Sequence, residues 1–398
     1  MDLPGLLKQD AARVVAVCDV DANRLKAGAE MVAQAYAKAG SNPQGDSPRT
    51  VTDYRELLRD PRIDAVAIST PDHWHAEPVL AAAVARKHVY VQKPLSMTLL
   101  EGRLISDTLR ARKTVFQIGS QQRADAPWPQ FRRGCQLVRN GRLGSLNTIK
   151  IGLPTDPAGK EEPTMPVPPN LDYDRWLGCT PLAPYTENRV HPQGSFDRPG
   201  WLRIESYCLG MITGWGSHHM DVAHWGMGTE YTGPVEIEGR AVFPGSGLWN
   251  VHGTYHIEAK YANGVTVIVD DKFPNGVRFE GSDGWIFVSR GDSGQKGFDA
   301  SSPALMTASI DQDPVQLHRS TNHHLDWIMA IQSGQPCATN PEQAHRSTSA
   351  CILGWIAMKL GRRVRWNPQT EEFLNDSQAN EMRARAERLP YGSRSVTF

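Results

Sequence analysis

Val89-Tyr-Val-Gln-Lys-Pro-Leu-Ser96 is the stretch from which the fold can be read outward. Val89–Val91 sets β-branched and aromatic residues side by side with no polar break, the pattern of a short buried strand. Pro94 has no N–H for a ladder and drives Lys93 toward an extended backbone, so the strand ends there. Lys93 is then the last side chain at the carboxyl end of a strand, where open α/β sheets hold their ligands. Desolvation can tune such a lysine for acid/base work or for orienting a hydroxyl. Taken alone, a surface lysine at a strand end is the plainer reading.

The neighbours extend the pattern. Ala65–Ser69 reads as a buried strand, followed by Thr70-Pro-Asp-His-Trp-His75 and an alanine-rich helix over Glu77–Arg86. After Lys93 come a helix over Thr98–Arg112 and a strand over Val115–Gly119. Upstream, Leu3–Asp10 looks like the end of a helix and Arg13–Asp19 like a parallel strand ending in an acid. Asn23–Ala39 is helical, Gly40–Arg49 a polar loop, and Asp53 caps a short helix to Leu58. This alternation predicts a Rossmann-like, doubly wound parallel sheet. A dinucleotide-binding unit begins with a strand and a Gly-x-Gly-x-x-Gly turn. The chain starts at about the first helix, so the sheet is expected to be N-terminally incomplete, through truncation of a longer reading frame rather than damage to the site. Asp19 stands where the ribose-binding acid belongs and favours NAD over NADP, whose 2′-phosphate it would repel.

From about residue 148 the pattern changes to longer alternating strands: Thr148–Leu153, Val235–Phe243, Thr254–Tyr261, Val265–Asp271, Val277–Glu280 and Trp285–Ser289. Asn263-Gly264 predicts a type I′ hairpin turn. The α/β unit is therefore followed by an α+β domain with a large, mostly antiparallel, open-faced sheet. Residues 1–122 form the dinucleotide-binding domain, 123–366 the substrate-binding and oligomerisation domain, and 367–398 a tail that packs on the surface. Between the first two of these strands, Pro154–Tyr207 is too long to be a plain connector. Helices are expected over 320–333 and 341–361.

Composition narrows the partners. With 43 basic and 43 acidic residues in 398, no nucleic acid and no membrane partner is indicated. No apolar run reaches the length of a membrane span and no signal peptide opens the chain. The expected location is the cytoplasm, or the periplasm if an export signal preceded this sequence. Six scattered cysteines without a Cys-x-x-Cys read as reduced core residues.

A second informative stretch is Gly210-Met-Ile-Thr-Gly-Trp-Gly-Ser-His-His-Met-Asp-Val-Ala-His-Trp225. A helix is expected from Ser217, a good cap, with His218 and Asp221 on one face. His218 could exchange a proton near neutral pH. His218, Asp221 and His224 do not make His-Glu-x-x-His, so no metal is assigned. Arg198, Trp201, Arg203, Glu205 and Tyr207 offer polar and aromatic groups for a hydroxylated ring. Gln121, Gln122 and Arg123 follow the Val115–Gly119 strand and should line the same cleft.

Together, Val-Val-Ala-Val-Cys-Asp19, Ser69-Thr-Pro-Asp-His-Trp-His75, Gln92-Lys-Pro94, Arg139-Asn-Gly-Arg-Leu-Gly144, Gly216-Ser-His218 with Asp221, and His345-Arg-Ser make the chain resemble the Gfo/Idh/MocA family of sugar and polyol oxidoreductases. The resemblance implies that Lys93 is catalytic, as the lysine of the family's Glu-Lys-Pro segment, with Gln92 replacing the acid. It matches His218 to the second-domain histidine, while the family's preceding aspartate position is Gly214. Lys93 and His218 are thus the expected catalytic pair. Asp19, Ser69, Thr70, Pro71, His75, Gln92, Lys93 and Gln121 are the expected cofactor contacts. Gln122, Arg123, Trp201, Arg203, Tyr207, His218 and His219 are the expected substrate contacts. The implied activity is hydride transfer between a sugar, glycoside or polyol carbon and NAD(P), in a homodimer or homotetramer. Two further readings stand beside it: a redox-neutral glycoside-cleaving enzyme with tightly bound NAD, and a non-catalytic ligand-binding relative.

Overall fold

The computed structural model describes residues 2–38 and 47–397. Its first part holds strands β1 (Ala16–Cys18), β2 (Arg49–Val51), β3 (Ala65–Ile68), β4 (His88–Val91) and β5 (Phe116–Ile118). Around them lie helices α1 (Asp2–Leu6), α2 (Ala22–Lys38), α3 (Tyr54–Leu58), α4 (Ala76–Val84) and α5 (Leu99–Ala111). Every pairing among these strands is parallel. Local chemistry sets the helix starts. Asp53 caps α3 by accepting from the Arg55 N–H, and Thr98 with Glu101 forms a capping box on α5. Val79 and Leu80 of α4, Ile105 and Leu109 of α5, and Val89, Val91 and Ile118 of the strands make one apolar core.

The strands form two ladders rather than one continuous sheet. β1 pairs with β2, while β3, β4 and β5 pair in that order. Among the described residues no strand occupies the other edge of β1 or of β3, so nothing bridges the two ladders. Of the expected Gly40–Arg49 loop, residues 40–46 lie outside the described residues, as does Ala39. Arg49 opens β2, a strand that the polar surroundings concealed.

The second part contributes β6 (Ala124–Ala126), β7 (Leu146–Gly152), β8 (Pro234–Ala241), β9 (Tyr255–Tyr261), β10 (Thr266–Asp270), β11 (Gly276–Gly281), β12 (Gly284–Val288), β13 (Phe298–Ala300), β14 (Ser320–Asn322), β15 (Val364–Asn367) and β16 (Glu372–Phe373). Its helices are α6 (Pro129–Arg139), α7 (Tyr173–Leu177), α8 (Met211–Gly214), α9 (Gly216–Met227), α10 (Pro303–Thr307), α11 (His323–Ser333), α12 (Pro341–Leu360) and α13 (Ser377–Glu381). Nine strands make one sheet in the order β13-β12-β11-β7-β10-β9-β8-β15-β16, antiparallel except where β7 meets β10. β9 shows the reason for its two faces: Tyr255, Ile257, Ala259 and Tyr261 are buried, while His256, Glu258 and Lys260 turn outward. α9 lies on the inner face. Gly226 permits this, because a Cβ there would meet the Phe279 ring at 2.5 Å.

The β9–β10 turn is not the expected type I′. Gly264 has φ +88° but Asn263 is not left-handed. Tyr261 N–H donates to the Val265 carbonyl, closing a three-residue loop with glycine in the left-handed position.

α11 and α12 return to the first part. Ala344 of α12 packs in the core beneath β4, and Ile352, Leu353 and Ile356 of the same helix pack in the core of the large sheet. His323 Nε2 lies 2.9 Å from the Ile118 carbonyl, and Gln117 Nε2 donates to His323 O at 2.6 Å. The tail crosses both parts, with Arg385 on Glu101 and Gly392 N–H on Glu77. α12 also packs against both α5 and α9, which joins the parallel part to the helix that carries His218. All six cysteines are free. Among the described residues no helix is long and apolar enough to cross a membrane.

Candidate active site

β4 ends as its sequence requires. Val89, Tyr90 and Val91 are fully buried, and Lys93, half-buried, follows at the carboxyl end before a cis peptide bond to Pro94. His75 ties this turn to the one after β3. Its Nδ1 lies 2.5 Å from the Pro94 carbonyl and its Nε2 3.0 Å from the Thr70 carbonyl. His75 was expected among the cofactor contacts, but it is wholly buried with both nitrogens engaged, so its role is to set the two turns. Ser69 and Thr70 are exposed on the rim and Pro71 is half-buried behind them.

Asp72 lies beneath Lys93. It is buried, its Oδ2 has no hydrogen-bond partner, and the nearby Cys208 thiol donates to the Gly210 carbonyl. Burial holds its carboxyl above the usual range, with the charges of His75 and Lys93 opposing. Neither Asp72 nor Cys208 was singled out from the sequence. Only the strand-end position of Thr70–His75 hinted at the first.

α9 brings His218 to the same place. The helix starts at Gly216, so Ser217 lies inside it rather than capping it. His218 is buried, and its Nδ1 has no partner. Burial pushes its pKa well below the ordinary value, reinforced by the positive charges of Arg290 and Lys93. The imidazole is therefore neutral near pH 7 and free to accept a proton. Gln122 lies in the turn after β5, buried, with neither amide atom hydrogen-bonded. Buried polar atoms without partners are costly in a native fold and mark places where a ligand supplies the missing contacts.

The other expected substrate contacts are committed elsewhere. Arg123 grips Asp221 through Nε at 2.7 Å and Nη2 at 2.8 Å, with Glu230 at 2.9 Å and the Ala338 carbonyl at 3.3 Å. Its fork is used within the protein, which also removes Asp221 from His218. His219 is buried with Nε2 2.9 Å from Asn275 Oδ1, and burial lowers its pKa to about 4. Tyr207 is buried against the rings of His73 and Trp176. Arg203 lies over Trp249 and 3.6 Å from Asp156, and Arg198 also pairs with Asp156. Glu205 binds Trp355 Nε1 and Lys359. Trp201 packs on the small aromatic core formed by Leu171, Trp176, Tyr185, Val190, Ile204 and Tyr207. The Pro154–Tyr207 excursion is thus a packed unit of its own. Among the described residues no group of three or more His, Cys, Asp or Glu side chains is arranged to hold a metal.

The residues at the nicotinamide end suit such a cofactor. Thr70 is exposed after β3, Lys93 is half-buried after β4, and the buried Gln122 amide and His218 Nδ1 have no partners. The remaining expected contacts are differently placed. Ser69 Oγ donates to Asp2 Oδ2 at 2.7 Å, and Gln92 Nε2 donates to both Asp2 oxygens at 2.9 and 2.8 Å. His324 adds a third contact at 3.1 Å. Burial would raise the Asp2 carboxyl, but hydrogen bonds from His324, Ser69 and Gln92 outweigh it and hold the pKa at about 2. Gln121 Nε2 donates to Tyr90 Oη at 3.1 Å. Asp19, at the end of β1, accepts from the Asp21 N–H, and burial raises its pKa.

Comparison with known proteins agrees with this fold. Residues 3–120 match the oxidoreductase-family model with an NAD-binding Rossmann fold, and residues 156–393 match the C-terminal alpha/beta domain of the same family. A myo-inositol 2-dehydrogenase of Thermotoga maritima is 33% identical over 170 residues, 42% of this chain and 43% of that protein. A levoglucosan dehydrogenase of Pseudarthrobacter phenanthrenivorans is 33% identical over 125 residues, 31% of this chain and 30% of that protein. The chain therefore spans less than half the length of the curated relatives it matches. The solved aldose–aldose oxidoreductase of Caulobacter crescentus superposes over 91% of this chain and 94% of its own, with a TM-score of 0.61 at 17% identity, a likeness of fold. With both of its parts matched by the family's two models, the chain belongs to the Gfo/Idh/MocA family of oxidoreductases.

Proposed function

We propose that this protein is a nicotinamide-dependent dehydrogenase acting on a hydroxyl-bearing carbon of a sugar, glycoside or polyol. The reading is supported by Lys93 at the carboxyl end of β4 together with a buried His218 that feels the Lys93 charge and whose Nδ1 is unpartnered. The relatives named as inositol and levoglucosan dehydrogenases support the substrate class. A nicotinamide ring seated against Thr70, Pro71 and Gln122 would supply the hydride acceptor. The chain's own residues handle the proton. Lys93 Nζ orients the reacting hydroxyl and stabilises the oxygen as negative charge develops. His218 Nδ1 accepts the hydroxyl proton. Its low pKa returns that proton readily, and the water-poor setting strengthens both interactions.

Asp19, at the end of β1, supports NAD rather than its 2′-phosphorylated form, because its carboxylate would repel the extra phosphate. Assembly as a homodimer or homotetramer through the outer face of the large sheet belongs to the same proposal. That face carries cross-strand pairs such as Lys260–Glu236, Lys150–Glu280 and Arg363–Glu238, so the contact would be polar.

The test is nicotinamide reduction with a panel of sugars, glycosides and polyols. Turnover by the wild type should fall on the order of 10²–10⁴-fold in His218→Asn and in Lys93→Met. Wild-type-like turnover in both variants would overturn the assignment.

A further inference from the structure

Arg290 is a half-buried cation with no ion-pair partner among the described residues. It follows β12 in Ser289-Arg290-Gly291, and Gly291 in the left-handed region (φ +78°) turns the chain away behind it. Its guanidinium carbon lies 4.2 Å from the centre of the Trp128 ring and 4.5 Å from that of Trp215. Its Nε is buried and has no hydrogen-bond partner. Other arginines drawn into the fold are matched, the buried Arg123 by Asp221 and Glu230 and the half-buried Arg385 by Glu101. Arg290 departs from that pattern. The acid that acts on it is Asp292, which is exposed and so screened by solvent. Burial accordingly draws the guanidinium pKa down to about 10.

Its position gives the feature a direction. After burial itself, Arg290 is the strongest influence on His218, ahead of Lys93. The Trp215 ring on which Arg290 lies stands 6.0 Å from the His218 ring, centre to centre, which sets the guanidinium beside the same site. The guanidinium also borders a small cleft with Asn275, Ser289, Asp292 and Gln295. Holding a bare guanidinium in such a place is costly unless an anion completes it.

We propose that Arg290 receives a carboxylate carried by the substrate, so that the sugar or polyol turned over at Lys93 and His218 is an acid, a uronate or an aldonate. The inference rests on the dehydrogenase reading for the reaction, but not for the binding. A guanidinium held against two indole rings offers its edge, and a planar carboxylate matches that edge through two parallel hydrogen bonds. A phosphate dianion would need more positive charge than Arg290 alone supplies once Lys93 is on the hydroxyl.

The experiment is titration of the wild type, Arg290→Gln and Arg290→Lys with D-glucuronate, D-galacturonate and D-gluconate, and with D-glucose and D-galactose as neutral parents. Binding is read by calorimetry and by the fluorescence of Trp128 and Trp215, with nicotinamide reduction followed in parallel and folding checked by thermal melts. The expected result is tighter binding of at least one acid than of its parent. That preference should fall ~10–100-fold in Arg290→Gln, with partial rescue in Arg290→Lys and no change for the neutral sugars. Equal binding of acids and parents, no binding of any acid, or tighter binding of glucose 6-phosphate than of the uronates would overturn the assignment. Turnover of neutral sugars alone would sink it while leaving the dehydrogenase reading intact. Acid binding that depends on Arg290, without nicotinamide reduction, would uphold it and count against the dehydrogenase reading.

Discussion

Replacing Asp221 by Ala should destabilise the fold without touching substrate. Arg123 is 3% exposed and Asp221 side-chain exposure is 2%, so the pair is shielded from water. The carboxylate takes two of the guanidinium's donors, at 2.7 and 2.8 Å. Breaking such a buried pair from one side costs about 3–5 kcal/mol, because the surviving charge is left without its partner. Glu230, 2.9 Å from Arg123 Nη2, remains and offsets part of the loss. We therefore expect about 3 kcal/mol, which for a chain of 398 residues lowers Tm by roughly 4 °C. Thermal and urea melts followed by tryptophan fluorescence would read it. The double variant Arg123→Met/Asp221→Leu should recover most of the stability, since apolar replacement of both partners is close to neutral. A loss under about 1 kcal/mol in Asp221→Ala, or a double variant worse than the single, would refute the view of Arg123 as a structural residue.

Other consequences can be checked alongside. The acid limb of kcat/KM should lie well below the ordinary histidine value of 6.5, because His218 must be neutral to accept a proton and its pKa is depressed. A limb at or above pH 6.5 would remove it as the base. Glu371 is held at about 2, burial opposing but hydrogen bonds from His345 and Arg103 prevailing. A depressed carboxylate stabilises above its unfolded pKa and loses that contribution as pH falls toward 2. Glu371→Gln should therefore cost about 2–3 kcal/mol at pH 7 and much less at pH 2.5, and equal losses at both would contradict this. Gly152→Ala would drive a Cβ into the carbonyls of Phe273 and Pro274. It should lower stability by roughly 1–3 kcal/mol, read by the same melts. An unchanged Tm would show that this edge of β7 can yield.

The sequence carried what local pattern determines. Lys93 could be placed at a strand end because Pro94 forbids continuation, and the strands of the large sheet could be found because their side chains alternate. It did not carry what depends on distant partners. The parallel match of β7 to β10 joins segments separated by the whole Pro154–Tyr207 excursion and more. Arg123 looked like a cleft residue because its partner Asp221 lies on another element, and His75 looked available because Pro94 meets it only after folding. Arg290 was invisible for the same reason, being an ordinary arginine before a glycine until Trp128 and Trp215 are brought to it. β2 was hidden by its length, three residues with two of them exposed.

The central claim is that hydride leaves a carbon whose hydroxyl is held by Lys93 and His218. Its most direct test is to supply a sugar or polyol deuterated at the reacting carbon and to weigh the nicotinamide cofactor after a single turnover. The account predicts one deuterium in the cofactor of the wild type and none in that of Lys93→Met or His218→Asn. Substrate consumed without label in the cofactor, or label transferred equally by all three proteins, would contradict it.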